Sequence, residues 1–253
     1  MSHDPSAAMP PSAAPPPWGL LGSVAWGALG IAVWFIGQFV ALSIYLATRD
    51  PGNPVDLQAL RHDGFLLAVV TIAAAPAWIA VSAFAARQCG WSVRGYLALI
   101  WPRRNEIAFG IACLAVLLVA ADLLSFALGR DLVPRFLVET YTSARNSGSL
   151  VLFLVAVVIV APIGEEIAFR GFLFRGLSVS VLGVAGTMVV TSAAWAALHV
   201  QYDAIVLVQI LLIGMLLGWL RWASGSTLLT ILLHMLTNLA ASIQAAIKVE
   251  WMG

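Results

Sequence analysis

Long apolar stretches separated by short polar breaks run along almost the whole chain. Trp18 to about Thr48 carries no charged side chain and is long enough for one tilted crossing of a bilayer, which takes ~20 apolar residues. Arg49, Asp50, Pro51, Gly52, Asn53 and Pro54 break it, and a polar loop continues to Asp63. A second stretch runs from about Gly64 to Ala86, with Pro76 as a kink that a helix bundle tolerates. A third covers about Ile107 to Leu128, and a fourth begins near Ser149. The fifth, sixth and seventh run from about Val181 to Val200, Ala204 to Trp222 and Thr227 to Ile247. The pattern predicts an all-α, polytopic membrane helix bundle of about seven to eight transmembrane helices; a short or re-entrant helix around Gly171 to Ser180 would make the difference.

Between the stretches, Arg87, Arg94, Arg103 and Arg104 sit among Trp91, Tyr96, Leu97, Leu99, Ile100 and Trp101, a mixture expected to lie along the membrane interface. Gly129 to Gly148 reads as a loop or surface helix. Met1 to Pro17 is rich in Pro, Ala and Ser, and lacks the basic start and apolar core of a signal peptide; it is expected to be a disordered tail. The expected organisation is therefore a tail (1–17), N-terminal transmembrane helices with interfacial segments (18–148), a catalytic helix bundle (149–247) and a C-terminal tail (248–253). The Lys/Arg distribution favours a cytoplasmic second loop, which places the N-terminus inside and the end of a seven-span chain outside.

Composition agrees. Of 253 residues 61% are hydrophobic and 10% charged, with a mean hydropathy of +0.96, whereas globular chains carry roughly a quarter charged residues. A net charge of +1 with no basic run leaves no basis for nucleic-acid binding. Cys89 and Cys113 form neither a metal-site spacing nor a disulfide framework.

The stretch Val160 to Gly176 departs from this plain pattern. It places Glu165, Glu166, Arg170 and Arg175 in an apolar surrounding, where each charge costs at least ~2.5–3.5 kcal/mol unless paired or shielded. On a helix Glu166 and Arg170 stand in the favourable order for an ion pair, while Glu165 points about 100° away. The expectation is a structural clasp beside a carboxylate left free for chemistry. His199 and His234 are the histidines inside predicted spans, and Asn238 follows His234 one helical turn later. This set suits peptide hydrolysis by an activated water. Glu165 with His199 can take a proton from water, and His234 with Asn238 can donate to the oxyanion. A metal is the competing account: Glu165, His199 and His234 could hold zinc, although no HExxH helix is present.

Three segments resemble the signature motifs of the CPBP intramembrane proteases: GEEIAFRGFLF at Gly164 to Phe174, WAALH at Trp195 to His199, and SGSTLLTILLHMLTN at Ser224 to Asn238. That family includes the type II CAAX prenyl endopeptidases and bacterial relatives linked to bacteriocin processing and self-immunity. The resemblance implies an active site inside the bundle, with Glu165 as the catalytic glutamate and Glu166 and Arg170 completing its motif. It further implies that His199 acts with Glu165 on the water and that His234 and Asn238 line the oxyanion site. The family has been described both as metalloproteases and as glutamate-dependent proteases, so zinc stays open. Trp195 stands where Phe is the common occupant. The implied protein is an endopeptidase of the cell membrane, multi-pass and of bacterial inner-membrane type, acting on membrane-anchored or lipidated peptides or proteins. The alternatives are a non-catalytic immunity or scaffold protein of the same fold and, in a different class, a proton- or ion-coupled transporter.

Other polar residues have structural readings. Asp122 is expected to be a buried hydrogen-bond acceptor or to lie close to the interface rather than to be catalytic, Gln38 and Gln209 could bridge helices, and Gly214 with Gly218 allows close helix packing.

Overall fold

The computed structural model describes residues 16–49 and 56–252, and every regular element among them is helical. In chain order these are α1 (Leu20–Ala47), α2 (Leu57–Arg61), α3 (Gly64–Gln88), α4 (Val93–Tyr96), α5 (Arg104–Ala127), α6 (Arg135–Asn146), α7 (Leu150–Leu177), α8 (Gly183–Ala197), α9 (Ala204–Ser224) and α10 (Thr227–Trp251). Six of them, α1, α3, α5, α7, α9 and α10, are long and apolar enough to cross a membrane. The expected tail up to residue 15 and the chain-breaking residues from Asp50 to Pro54 lie outside the described residues.

Local signals start and stop these helices. Asp63 caps α3 by accepting from the Leu66 N–H at 3.0 Å, and Ser226 caps α10 through the Leu229 N–H at 3.1 Å. Gly225, at φ 68°, ends α9 in the left-handed conformation that glycine adopts without strain. The tight link from Gly225 to Ser226 makes α9 and α10 antiparallel neighbours.

The core is a contiguous set that includes Trp78, Phe169, Trp195, Ile213, Leu217, Leu229 and Leu233. Outside it, α1 exposes Phe35, Ile36, Phe39 and Ile44, and α5 exposes Val116, Val119, Leu123 and Phe126. Contiguous apolar surface of that extent needs a cover, and in a helical bundle of this composition the cover is lipid. On the inside, α7 lies close to α3: a Cβ on Gly164 would sit 3.3 Å from the Cβ of Ala75.

Helix α7 is not regular. Its turns widen to π geometry over Ala156–Val160 and again over Ile167–Leu173. Pro162 lies just after the first widened turn; it has no N–H to donate and its ring crowds the preceding turn. Single π-turns inside α-helices are frequent at functional sites, and here they bracket the two glutamates.

Four expectations change. The fifth apolar stretch forms only the 15-residue α8, about 22 Å long against a hydrocarbon core of ~30 Å. No separate helix forms at Gly171 to Ser180, because α7 continues to Leu177. The C-terminal tail is shorter than 248–253, since α10 runs on to Trp251 and is anchored by Arg145–Glu250 at 2.6 Å and Lys248–Asp131 at 3.3 Å.

The fourth change concerns the arginine-bearing segment before α5, part of which turns inward while Ile100 and Trp101 stay exposed. Tyr96, Leu97 and Ala98 are buried and plug one end of the bundle. The Thr227 hydroxyl donates to Leu97 O at 2.6 Å, the Thr227 N–H to Ala98 O at 3.0 Å and Arg175 Nε to Tyr96 O at 3.2 Å. Carbonyls of a non-helical segment inside a bundle must find donors on the protein, and α7 and α10 supply them.

The same plugged end holds the start of α1, tied down by Trp18 Nε1 donating to Ala85 O at 2.8 Å. The end of α10 lies at the opposite end, beside α6. That opposite end also carries α6 itself, whose Thr140, Tyr141 and Ala144 are buried, so the expected surface element is half inside the protein.

Candidate functional site

The regular turn of α7 between its two widened ones carries Glu165 and Glu166 in mid-helix, and the two carboxylates enter different surroundings. Glu166 and Arg170 are both fully buried and pair at 2.7 Å between Arg170 Nη1 and Glu166 Oε1. The same oxygen is 3.0 Å from Nδ1 of His234 on α10. Arg170 also donates from Nη2 to Gly214 O on α9 at 3.1 Å, and a Cβ on Gly214 would come within 3.2 Å of that nitrogen. The expected clasp therefore forms, and it reaches across three helices. A buried pair of this kind is worth little against an apolar replacement, but removing one partner strands a charge at a cost of about 3–5 kcal/mol.

Glu165 points elsewhere. Its Oε2 accepts from the indole N–H of Trp195 on α8 at 2.5 Å. The Trp195 ring lies edge-on to both histidines, with centroid distances of 5.1 Å to His199 and 5.1 Å to His234. The Arg170 guanidinium sits over the same ring at 4.7 Å. Four of the expected site residues thus touch one indole.

Hydrogen bonding sets the histidine tautomers. His199 Nδ1 is 2.9 Å from Trp195 O, a carbonyl that can only accept, so Nδ1 carries the proton and Nε2 presents a lone pair. His234 Nδ1 faces the Glu166 carboxylate and is likewise the donor. Its Nε2 can donate only when both ring nitrogens are protonated.

Asn238 Nδ2 donates to Val157 O at 2.7 Å. Val157 lies in the first π-turn, five residues before Pro162, so a side chain from α10 satisfies a carbonyl in the stretch where the proline withholds a donor. One N–H and the carbonyl oxygen of Asn238 remain for other partners.

Glu165, His199, His234 and Asn238 line one cavity of about 760 Å³, walled also by Asp122, Gln209 and Gln244. Asp122 accepts from Gln244 Nε2 at 2.8 Å, and Gln209 Nε2 donates to Ser125 Oγ at 3.2 Å, bridging α9 to α5. A second cavity of about 390 Å³, lined by Gln38, Trp34 and Trp78, shares Glu165 and His199 with the first. Near the mouth of the larger one Arg130 pairs with Asp203. Burial works to raise the Asp203 carboxyl, but the N–H groups of Val206 and Ile205 together with Arg130 outweigh it and hold the group below its ordinary value. Burial pushes the neighbouring Tyr202 phenol up to about 12.

Among the described residues no group of three His, Cys, Asp or Glu side chains is placed to hold a metal ion, because Glu165, His199 and His234 are spread around the Trp195 indole. Two participants escaped the sequence reading. Trp195 registered only as an unusual motif residue, because its contact with Glu165, 30 positions earlier, is made only by helix packing. Arg221, which the sequence reading did not single out, is buried and donates from Nε to Arg170 O at 2.9 Å and to the Thr227 hydroxyl at 3.0 Å.

Comparison with known proteins bears on this same region. Residues 147–240 match the family described as type II CAAX prenyl endopeptidase Rce1-like. A protein of Escherichia coli, named only as an uncharacterized 24.3 kDa protein, is 32% identical over 144 residues, covering 55% of this chain and 64% of the relative. The match thus spans less than two thirds of the relative's length. No solved structure matches the chain.

Proposed function

We propose, from the match of residues 147–240 to the type II CAAX prenyl endopeptidase Rce1-like family, that this multi-pass membrane protein is an intramembrane endopeptidase using a glutamate- and histidine-activated water. The observation that carries the reading is the division of labour between adjacent carboxylates: Glu166 is neutralised by Arg170, while Glu165 opens to a cavity shared with His199.

In this mechanism a water sits between Glu165 and the Nε2 lone pair of His199. Both groups accept its protons, which turns the oxygen lone pair toward the scissile carbonyl. Trp195 occupies Glu165 Oε2, leaving Oε1 to take the proton and pass it to the departing amine. The oxyanion is held by the remaining N–H of Asn238 and by His234, whose Nε2 donates when both of its ring nitrogens carry a proton. Such a donor contributes about 2.7–4 kcal/mol in a known case. No step requires a metal.

The substrate in this reading is a membrane-anchored or lipidated peptide or protein, processed in the manner of CAAX or bacteriocin-related maturation, and the site of action is the bacterial inner membrane. The apolar helices around the cavity favour a substrate that arrives within the bilayer. The test is cleavage of a panel of lipidated and transmembrane peptides by the purified protein and by Glu165→Gln. Cleavage by the wild type alone supports the reading, and equal cleavage by both overturns it.

A further inference from the structure

We infer that Trp195 is a positioning residue that holds both groups acting on the water, Glu165 through its side chain and His199 through its backbone. The inference rests on the reading of Glu165 as the base. The indole N–H donates to Glu165 Oε2 at 2.5 Å, and the Trp195 carbonyl accepts from His199 Nδ1 at 2.9 Å.

Among the described residues the indole provides the hydrogen bond to the Glu165 carboxylate; the adjacent cation, Arg170, is committed to Glu166 and to Gly214 O. A glutamate has three side-chain torsions, and among the described residues no other hydrogen bond to its carboxylate fixes their values. A hydrogen bond to an ionised acceptor is roughly twice as strong as a neutral one, so this one selects the orientation that leaves Oε1 facing the cavity. Phenylalanine at the same position supplies a ring but no donor.

The indole is itself held. Arg170 stacks over it at 4.7 Å and both histidines meet it edge-on. A rigid donor on a packed ring is what keeps a reacting group within the narrow tolerance catalysis demands, where misplacement by ~1 Å costs up to about a hundredfold in rate.

The experiment replaces Trp195 with β-(3-benzothienyl)alanine, which keeps the shape of the ring and lacks the N–H, alongside Trp195→Phe and Glu165→Gln. The backbone carbonyl that orients His199 survives each change. The expected result for the benzothienyl variant is a fall in kcat of about tenfold, with KM and the thermal unfolding midpoint close to wild type. The second readout is the Trp195 indole N–H resonance, assigned by its loss in Trp195→Phe; it should shift in Glu165→Gln. Wild-type kcat in the benzothienyl variant, or an indole resonance indifferent to Glu165→Gln, overturns the inference while an inactive Glu165→Gln leaves the proposed function standing. An active Glu165→Gln overturns the proposed function itself.

Discussion

At the scale of single residues, the site depends on how two neighbouring glutamates are neutralised. Glu166 has a guanidinium at 2.7 Å and an imidazole at 3.0 Å, so its role is to hold α7 to α10 and to set the His234 tautomer. Arg170→Met leaves that carboxylate buried without its main partner. The expected loss of stability is about 3–5 kcal/mol, read by chemical unfolding in detergent. Tyr202, near the cavity mouth, makes a different prediction. Its phenol ionises near 10 in the unfolded chain and at about 12 in the folded one, because burial disfavours the phenolate. Between those values the unfolded state releases a proton that the native state keeps, so stability falls as pH rises through this window. Unfolding measured at pH 9 and pH 11.5 should show the drop, and Tyr202→Phe should flatten it.

At the scale of elements, the unusual helix is α7, and the unusual feature is that its widened turns are completed by other helices. Val157 O takes its hydrogen bond from Asn238, and Arg170 O takes one from Arg221. Helix packing is correspondingly close. A methyl group added by Gly214→Ala would meet Ser192 Cβ at 2.9 Å and Arg170 Nη2 at 3.2 Å. It should cost about 1–3 kcal/mol, as overpacking does, and lower activity by displacing the clasp. The start of α9 rests on Asp203, which accepts from the N–H groups of Ile205 at 2.9 Å and Val206 at 3.3 Å. Asp203→Ala should cost about 1 kcal/mol, seen as a lower thermal midpoint near neutral pH. Because the Asp203 carboxyl is held low in the folded chain, its contribution is present above pH ~4 and is lost as pH falls, so the variant and the wild type should converge in acid.

At the scale of the whole molecule, the first and last described helices begin and end at opposite ends of the bundle: Trp18 is tied to the end of α3, and Glu250 to α6. Cysteines introduced near Leu20 and Met252 should therefore react with impermeant reagents from opposite faces of a sealed vesicle. Labelling of both from one face would require a different threading. The spread of Glu165, His199 and His234 around one indole makes a second prediction at this scale. Chelation should leave peptide cleavage within about twofold of the untreated rate, and stoichiometric zinc lost together with activity would overturn the proposed mechanism.

The apolar runs, their breaks and the isolated Glu, His, Arg and Asn residues were legible in the chain because membrane burial penalises every polar group that lacks a reason to be there. Helical class, most span positions and the Glu166–Arg170 pairing follow from spacing along one helix, which is local. Spacing could not show that the Tyr96–Ala98 segment turns inward, that Arg221 is buried, or that His234 bonds Glu166. Each of these is a contact between residues far apart in the chain, made because a buried carbonyl or carboxylate takes whichever donor the packed helices bring to it. The place of Trp195 was likewise decided in three dimensions: only the crossing of α7, α8 and α10 puts its N–H on Glu165 and its ring against both histidines.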